Sequence, residues 1–106
     1  MHKKHIVSSS ISAKEALKML NTLNLDKVLF LTDEEDKLVG SVTDGDLRRG
    51  LLSDLTINDP VEKFAEDSPA YITQSKYSIN SIISLRKEFE IIPILNDNRQ
   101  IIDVIN

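Results

Sequence analysis

The sequence predicts an α+β fold of two strand–helix–strand–strand units, small sheets packed with helices, the first unit closed by a further helix that the second lacks. Three observations predict it. Two short apolar runs, 27–31 and 38–42, flank the acidic stretch Asp33-Glu34-Glu35-Asp36 and read as an antiparallel hairpin. The arrangement returns 63 positions later: "EIIPIL" at 90–95 follows "KVLFLT" at 27–32, and "QIIDVI" at 100–105 follows "KLVGSV" at 37–42. Ahead of each hairpin a short strand-like tetrapeptide, "HIVS" at 5–8 and "AYIT" at 70–73, precedes apolar residues at helical spacing.

Taken in order, His2 and His5 flank two lysines in an incidental terminus rather than a metal site. The strand at 5–8 leads into Ser8-Ser9-Ser10, a loop with no histidine or lysine partner that would make a serine a nucleophile. Ser12 stands three residues before Glu15, the reciprocal capping pattern that opens a helix. Ala16, Leu17, Leu20 and Leu23 carry that helix over 13–23, and Asn24 stops it. After the hairpin, a second helix starts beyond Thr43 with Leu47, Leu51 and Leu52 on its buried side. Ile57-Asn58-Asp59-Pro60 opens the connection, with Val61 and Phe64 packing as one helical turn. The boundary falls at 58/59, so 1–58 and 59–106 form the two repeats. Ile79, Ile82 and Ile83 mark a helix over 78–89, and the strands 90–95 and 100–105 follow. Pro93 lacks an N–H, so its strand should be an edge or turn that position outward.

Composition narrows the function. The 106 residues suit one domain or two small fused halves. No run of about 18 apolar residues is present, so no membrane helix is expected. The N-terminus has no apolar stretch behind its basic residues, so it is not a secretory signal. With no cysteine, disulfides and thiolate zinc sites are excluded, and a cytoplasmic location is expected. A net charge of −4 and scarce aromatic residues argue against a nucleic-acid partner. The acidic turn at 33–36 lacks the ligand spacing and glycine of a calcium loop.

The densest chemistry lies in "LVGSVTDGDLRRGLL" at 38–52. Thr43-x-x-Asp46 is either a capping box, worth about 1 kcal/mol, or a binding site. Gly45 in the first helical turn costs propensity of about 1 kcal/mol but lets a ligand approach the backbone. A helix N-terminus offers N–H groups to a phosphate or ribose oxygen, and Arg48 and Arg49 follow within a turn, suited to bidentate phosphate contacts. On spacing alone the two readings stand even, and these neighbouring features shift the balance towards a site.

Gly40-Ser41-Val42-Thr43-Asp44-Gly45-Asp46 follows the pattern G-h-h-T-x-x-D (h hydrophobic), with Ser41 as a departure. Together with the two repeats, it resembles a tandem CBS-domain pair, the Bateman module. "IIPILND" at 91–97 is similar to the proline-containing strand of such repeats, and "TDGDLRR" to the pairs attached to sugar-phosphate nucleotidyltransferases and isomerases. In the former the pair precedes the catalytic domain, so the chain, from Met1 to its stop at Asn106, is expected to be a fragment of a longer enzyme. The resemblance implies a non-catalytic regulatory module that requires no cofactor and binds AMP, ADP or ATP. It also implies a homodimer assembled through helices of both halves; Leu51, Leu52, Ile82 and Ile83 carry more apolar surface than so small a unit covers internally, so some of them should meet a partner chain. Asp46 would then accept hydrogen bonds from ribose hydroxyls, and Thr43 would reach a ribose or phosphate oxygen. Val7, Ser8, Val28 and Leu29 would supply the purine pocket.

Two other classes remain to be weighed. One is a structural dimerisation domain with a vacant cleft. The other is metal-assisted phosphoryl transfer by Asp44-Gly45-Asp46, which superficially resembles the aspartyl phosphatases. Arg48 stands where those enzymes carry threonine or valine, and no later lysine–carboxylate pair completes such a site. A single ligand site is expected, in the first half, because Asp103 replaces Gly40 in the second.

Overall fold

The computed structural model describes residues 2–24, 27–75, 78–87, 89 and 91–105. Its elements are β1 (Ile6–Ser8), α1 (Ala13–Thr22), β2 (Val28–Thr32), β3 (Leu38–Thr43), α2 (Asp44–Leu52), β4 (Ile72–Thr73), α3 (Ile79–Arg86), β5 (Ile92–Leu95) and β6 (Ile101–Ile105). Two three-stranded sheets result, ordered β1-β2-β3 and β4-β5-β6. In each the outer strand lies parallel to the centre and the hairpin partner antiparallel. This is the mixed α+β architecture of two repeats that the pattern predicts.

The repeat is geometric as well as sequential. Leu29 pairs with Val42 and Leu31 with Gly40, while Ile92 pairs with Ile105 and Ile94 with Asp103. Both ladders slip by a residue at the same place, Leu31/Thr32 and Ile94/Leu95. A turn closed by a left-handed residue forces that bulge, and Asp36 (φ 63°) and Arg99 (φ 66°) occupy equivalent positions.

Helix α1 begins as expected at Ser12, whose hydroxyl accepts from the Glu15 N–H at 3.2 Å. The reciprocal half differs: the Glu15 carboxylate turns to Lys18 at 3.9 Å. The helix lays Ala13, Ala16 and Leu20 on the first sheet, where Leu29, Leu31, Val42, Leu47, Val61 and Phe64 complete a closed core. Val61 opens a 3-10 turn as the spacing predicts, and both Val61 and Phe64 are buried. A smaller apolar cluster, Phe30, Leu38, Ile91 and Leu95, joins the two sheets.

Several expectations are corrected. Leu47 alone of the three leucines on α2 is buried; Leu52 is 80% exposed and Leu51 37%. Gly50 is the reason that side of the helix works with less side chain, because a Cβ there would overlap the Phe64 ring. His5 is not in a loose terminus. It is buried in a 3-10 turn (His2–His5), with Nδ1 2.9 Å from the Val28 carbonyl oxygen. A carbonyl only accepts, so Nδ1 carries the proton and the bond ties the terminus to β2. Strand β5 is central, not an edge. Only the edge alternative for Pro93 falls, since β4 pairs with Ile94 and Leu95 alone and leaves the proline position without a ladder partner on that side. Asn106, the equivalent of Thr43, lies outside the described residues. Among the described residues no helix is long and apolar enough to cross a membrane.

Candidate functional site

A cleft of about 470 Å³ opens where the two halves meet. Val28 and Phe30 of β2 and Ser41 and Thr43 of β3 form one wall. Ser68, Pro69 and Ala70, which lead into β4, face them, and Phe89 and Ile91 close the end before β5. The walls are mainly apolar, with Lys27 and Glu66 placing one charge of each sign at the margin. A volume between about 300 and 1,000 Å³, mainly apolar with a few polar groups, is the usual form of a small-molecule site.

Thr43 stands at the head of α2, with the extended backbone (φ −121°, ψ 172°) of a cap residue. Its hydroxyl accepts from the Asp46 N–H at 3.2 Å and donates to Asp46 Oδ2 at 3.1 Å. Its own N–H donates to the same Oδ2 at 3.0 Å. The box is therefore closed in both directions. Asp46 Oδ1 receives Arg49 Nη2 at 2.7 Å, an i,i+3 pair whose arginine side chain is 71% exposed. The glycine before Asp46 has a local reason: a Cβ on Gly45 would lie 3.3 Å from Arg49 Nη1, so its absence lets the guanidinium fold back over the helix start.

The structure gathers the eight sequence-derived candidates unevenly. Val28 and Thr43 line the cleft, and Asp46 and Arg49 join Thr43 through the cap. Arg48 is exposed on α2. Val7 and Leu29 are buried in the first core, and Ser8 bonds the Ser10 hydroxyl at 2.9 Å. The wall contributed by Ser68–Ala70, Phe89 and Ile91 escaped the sequence reading. One signal for it was present, since Ile91 is the 63-position equivalent of Val28. Among the described residues no group of three or more His, Asp or Glu side chains could hold a metal ion.

A CBS-domain family model matches residues 1–53. Solved structures with the same fold include OpuCA of Staphylococcus aureus, at 13% identity and TM-score 0.78, over 95% of this chain and 83% of that one. The CBS-domain protein PAE2072 of Pyrobaculum aerophilum, complexed with AMP, matches at 16% identity and TM-score 0.73, over 95% and 78%. The CBS pair of protein MJ0100, in complex with methylthioadenosine and S-adenosyl-L-methionine, matches at 24% identity and TM-score 0.72, over 95% and 82%. No curated protein matches the chain.

Proposed function

The chain belongs to the CBS-domain family, whose modules regulate rather than catalyse, and on that premise we propose that its inter-half cleft senses an adenosine nucleotide, AMP, ADP or ATP. The observation that carries the reading is the meeting of an apolar, two-walled slot of about 470 Å³ with the head of α2 at Thr43. Val28, Phe30, Phe89 and Ile91 suit a purine face. The ribose takes the Asp46 carboxylate in place of Arg49, and the phosphates then meet the released guanidinium and the positive end of the helix. Releasing Arg49 costs little, because an exposed ion pair is worth about 0–1 kcal/mol. AMP in PAE2072 and S-adenosyl-L-methionine in MJ0100 support an adenosine ligand for this fold.

The wider proposal follows the same resemblance. Residues 1–58 and 59–106 are the two repeats of one regulatory pair in the cytoplasm, attached to a sugar-phosphate nucleotidyltransferase that ligand binding biases. The pair forms a homodimer, supported by the exposed apolar side chains of Leu51, Leu52 and Ile83. One ligand binds per chain, supported by Asp103 of the second hairpin, whose negative charge would repel a phosphate near the second cleft.

Titration calorimetry with AMP, ADP, ATP and S-adenosylmethionine tests the site. The expected outcome is saturable binding of one adenosine ligand per chain. Occupancy at 100 times Kd should add about 2.7 kcal/mol of stability. A folded protein that binds none of them would overturn the reading, and two ligands per chain would overturn the single site. Light scattering at tens of micromolar should give a dimer mass.

One observation favours a second reading. The closed capping box already employs both Thr43 and Asp46, so the pair could serve only the fold of a structural dimerisation domain. Asp46→Ala separates the two. For a ligand site it should weaken nucleotide binding by about 1.5–3 kcal/mol, the worth of hydrogen bonds to a charged group. For a cap alone it should lower stability by about 1 kcal/mol and leave affinity unchanged.

A further inference from the structure

The strand bridge between Lys37 and Gln100 pairs a position of the first hairpin with its own 63-position equivalent. It therefore lies on the local two-fold axis that relates the hairpins, and each side of the axis carries an equivalent groove. On one side the groove is filled by Arg99. Its guanidinium lies 5.1 Å from the Tyr71 ring centre, with Nη1 3.3 Å from the Tyr71 hydroxyl and Nη2 donating to the Leu38 carbonyl at 3.1 Å. On the other side the axis places Asp36 for Arg99, Ile101 for Leu38 and Ile6 for Tyr71. That groove is open, with a volume of about 510 Å³.

Its chemistry is complementary to what fills the first. Ile6, Ile101 and Ile102 give an apolar floor. Thr32, at its edge, donates its hydroxyl proton to the Val7 carbonyl at 3.3 Å, so it offers the groove an acceptor. The Gln100 side chain is engaged at both ends, Nε2 donating to the Glu35 carbonyl at 3.0 Å and Oε1 accepting from Asn96 Nδ2 at 3.0 Å. The Asp36 backbone N–H closes the turn onto the Asp33 carbonyl at 3.0 Å, while its carboxylate makes no hydrogen bond or ion pair among the described residues. A carboxylate beside an apolar floor and the Thr32 hydroxyl selects a cation with an apolar stem, and the equivalent groove shows the planar fork of a guanidinium fitting such a place.

We propose that this second groove binds a small organic cation of the alkylguanidinium type, its stem on the isoleucines and its guanidinium on Asp36. The site is separate from the nucleotide cleft and does not depend on it. Two-dimensional amide NMR with butylguanidinium tests it, with butylurea as the neutral isostere. Saturable shifts should appear at residues 6, 32, 36 and 100–102, and butylurea should leave them still. Asp36→Asn should weaken butylguanidinium by about tenfold or more, as expected for loss of a charge-assisted bond. Asp36→Arg should abolish binding, because the backbone at Asp36 matches that of Arg99 and the new side chain would fill the groove. Arg99→Ala serves as a positive control, since it opens a groove that a guanidinium is seen to fit. Absence of saturable shifts in the natural protein overturns the proposal, as does equal binding by Asp36→Asn or by butylurea. The comparison of the natural protein with Asp36→Asn decides the matter even if Arg99→Ala does not fold.

Discussion

The two hairpins share a skeleton and differ in what is laid over it. Residues 28–43 and 91–105 agree in pairing, bulge and left-handed turn position. Yet the first sheet sits under α1, α2 and the Val61–Phe64 turn, which close a core made wholly from residues 7–64. Ile91 and Leu95 of the second half bury themselves instead against Phe30 and Leu38 of the first. Helix α3 leaves Ile79 73% and Ile83 51% exposed. A hairpin's geometry is set by its turn and register, which a repeat transmits intact. Packing is set by what each face meets, and each half meets something different. The first sheet is thus enclosed within residues 7–64, the last two of its core side chains, Val61 and Phe64, lent by the start of the second half, and the second sheet leans on it.

The largest effects should follow that asymmetry. Leu29→Ala and Leu20→Ala each empty fully buried space in the first core and should cost about 2–5 kcal/mol in urea unfolding. Ile79→Ala on α3, 73% exposed, should stay within about 0.5 kcal/mol, as surface substitutions do. Equal losses at Leu29 and Ile79 would break the comparison, for they would mean that α3 is packed as tightly as α1.

The glycines sharpen the comparison next. Gly40 and Asp103 are equivalent, and beside Gly40 the connecting segment pairs along the strand, with Ser41 N–H donating to Glu66 O at 3.0 Å and Glu66 N–H returning to Ser41 O at 2.9 Å. A Cβ on Gly40 would lie 3.0 Å from that Glu66 oxygen. The close approach Gly40 permits is therefore made by the chain itself. Gly40→Ala should cost about 1–3 kcal/mol through overpacking. Gly50→Ala, whose Cβ would lie 2.5 Å from Phe64 Cε2, should cost about as much despite alanine's better helix propensity of about 1 kcal/mol. Asp103 accepts from its neighbour Val104 N–H at 2.8 Å on an exposed strand position, and Asp103→Ala should cost less than about 1.5 kcal/mol. If Asp103→Ala proved as costly as Gly40→Ala, the strand positions would be under like constraint.

These contrasts also show what the sequence made legible. The hairpins were readable because apolar runs around polar turns recur at one spacing, and the pairing follows from that alone. Helix α1 was readable from Ser12 and its apolar period. The burial of α2 was not, because helical spacing places Leu51 and Leu52 near Leu47 but does not say that Phe64 covers Gly50. Half of the cleft was legible as Thr43 and Val28. Its other wall, Ser68–Ala70 with Phe89, has no sequence pattern of its own and exists only because the second half folds against the first. Arg99 was invisible for a related reason: an arginine in a polar turn signals solvent, and only the fold brings Leu38 and Tyr71 to its guanidinium.

The smallest expected effect distinguishes the turns themselves. Asp33 accepts from the N–H groups of Glu35 at 2.8 Å and Lys37 at 3.0 Å. Asn96 accepts from Asn98 at 2.9 Å and Gln100 at 3.0 Å in the same geometry without a charge. The Lys37 N–H bond, the largest cause, holds the Asp33 carboxyl below the ordinary aspartate range. A depressed folded value means that its contribution is complete above the unfolded aspartate value and is lost as pH falls through the lowered folded one. The first turn should therefore loosen in acid while the second does not. Asp59, held low chiefly by the Thr56 N–H, responds in the same direction, so global unfolding would blend the two and a local probe is required. Amide shifts of Lys37 should titrate at low pH while those of Gln100 stay flat. Asp33→Asn should silence the first, and Asn96→Asp should give Gln100 a titration of its own. A Gln100 amide that titrates together with Lys37 in the natural protein would show that the turns are coupled through their bridge, and that the acid response belongs to the seam between the halves rather than to one carboxylate.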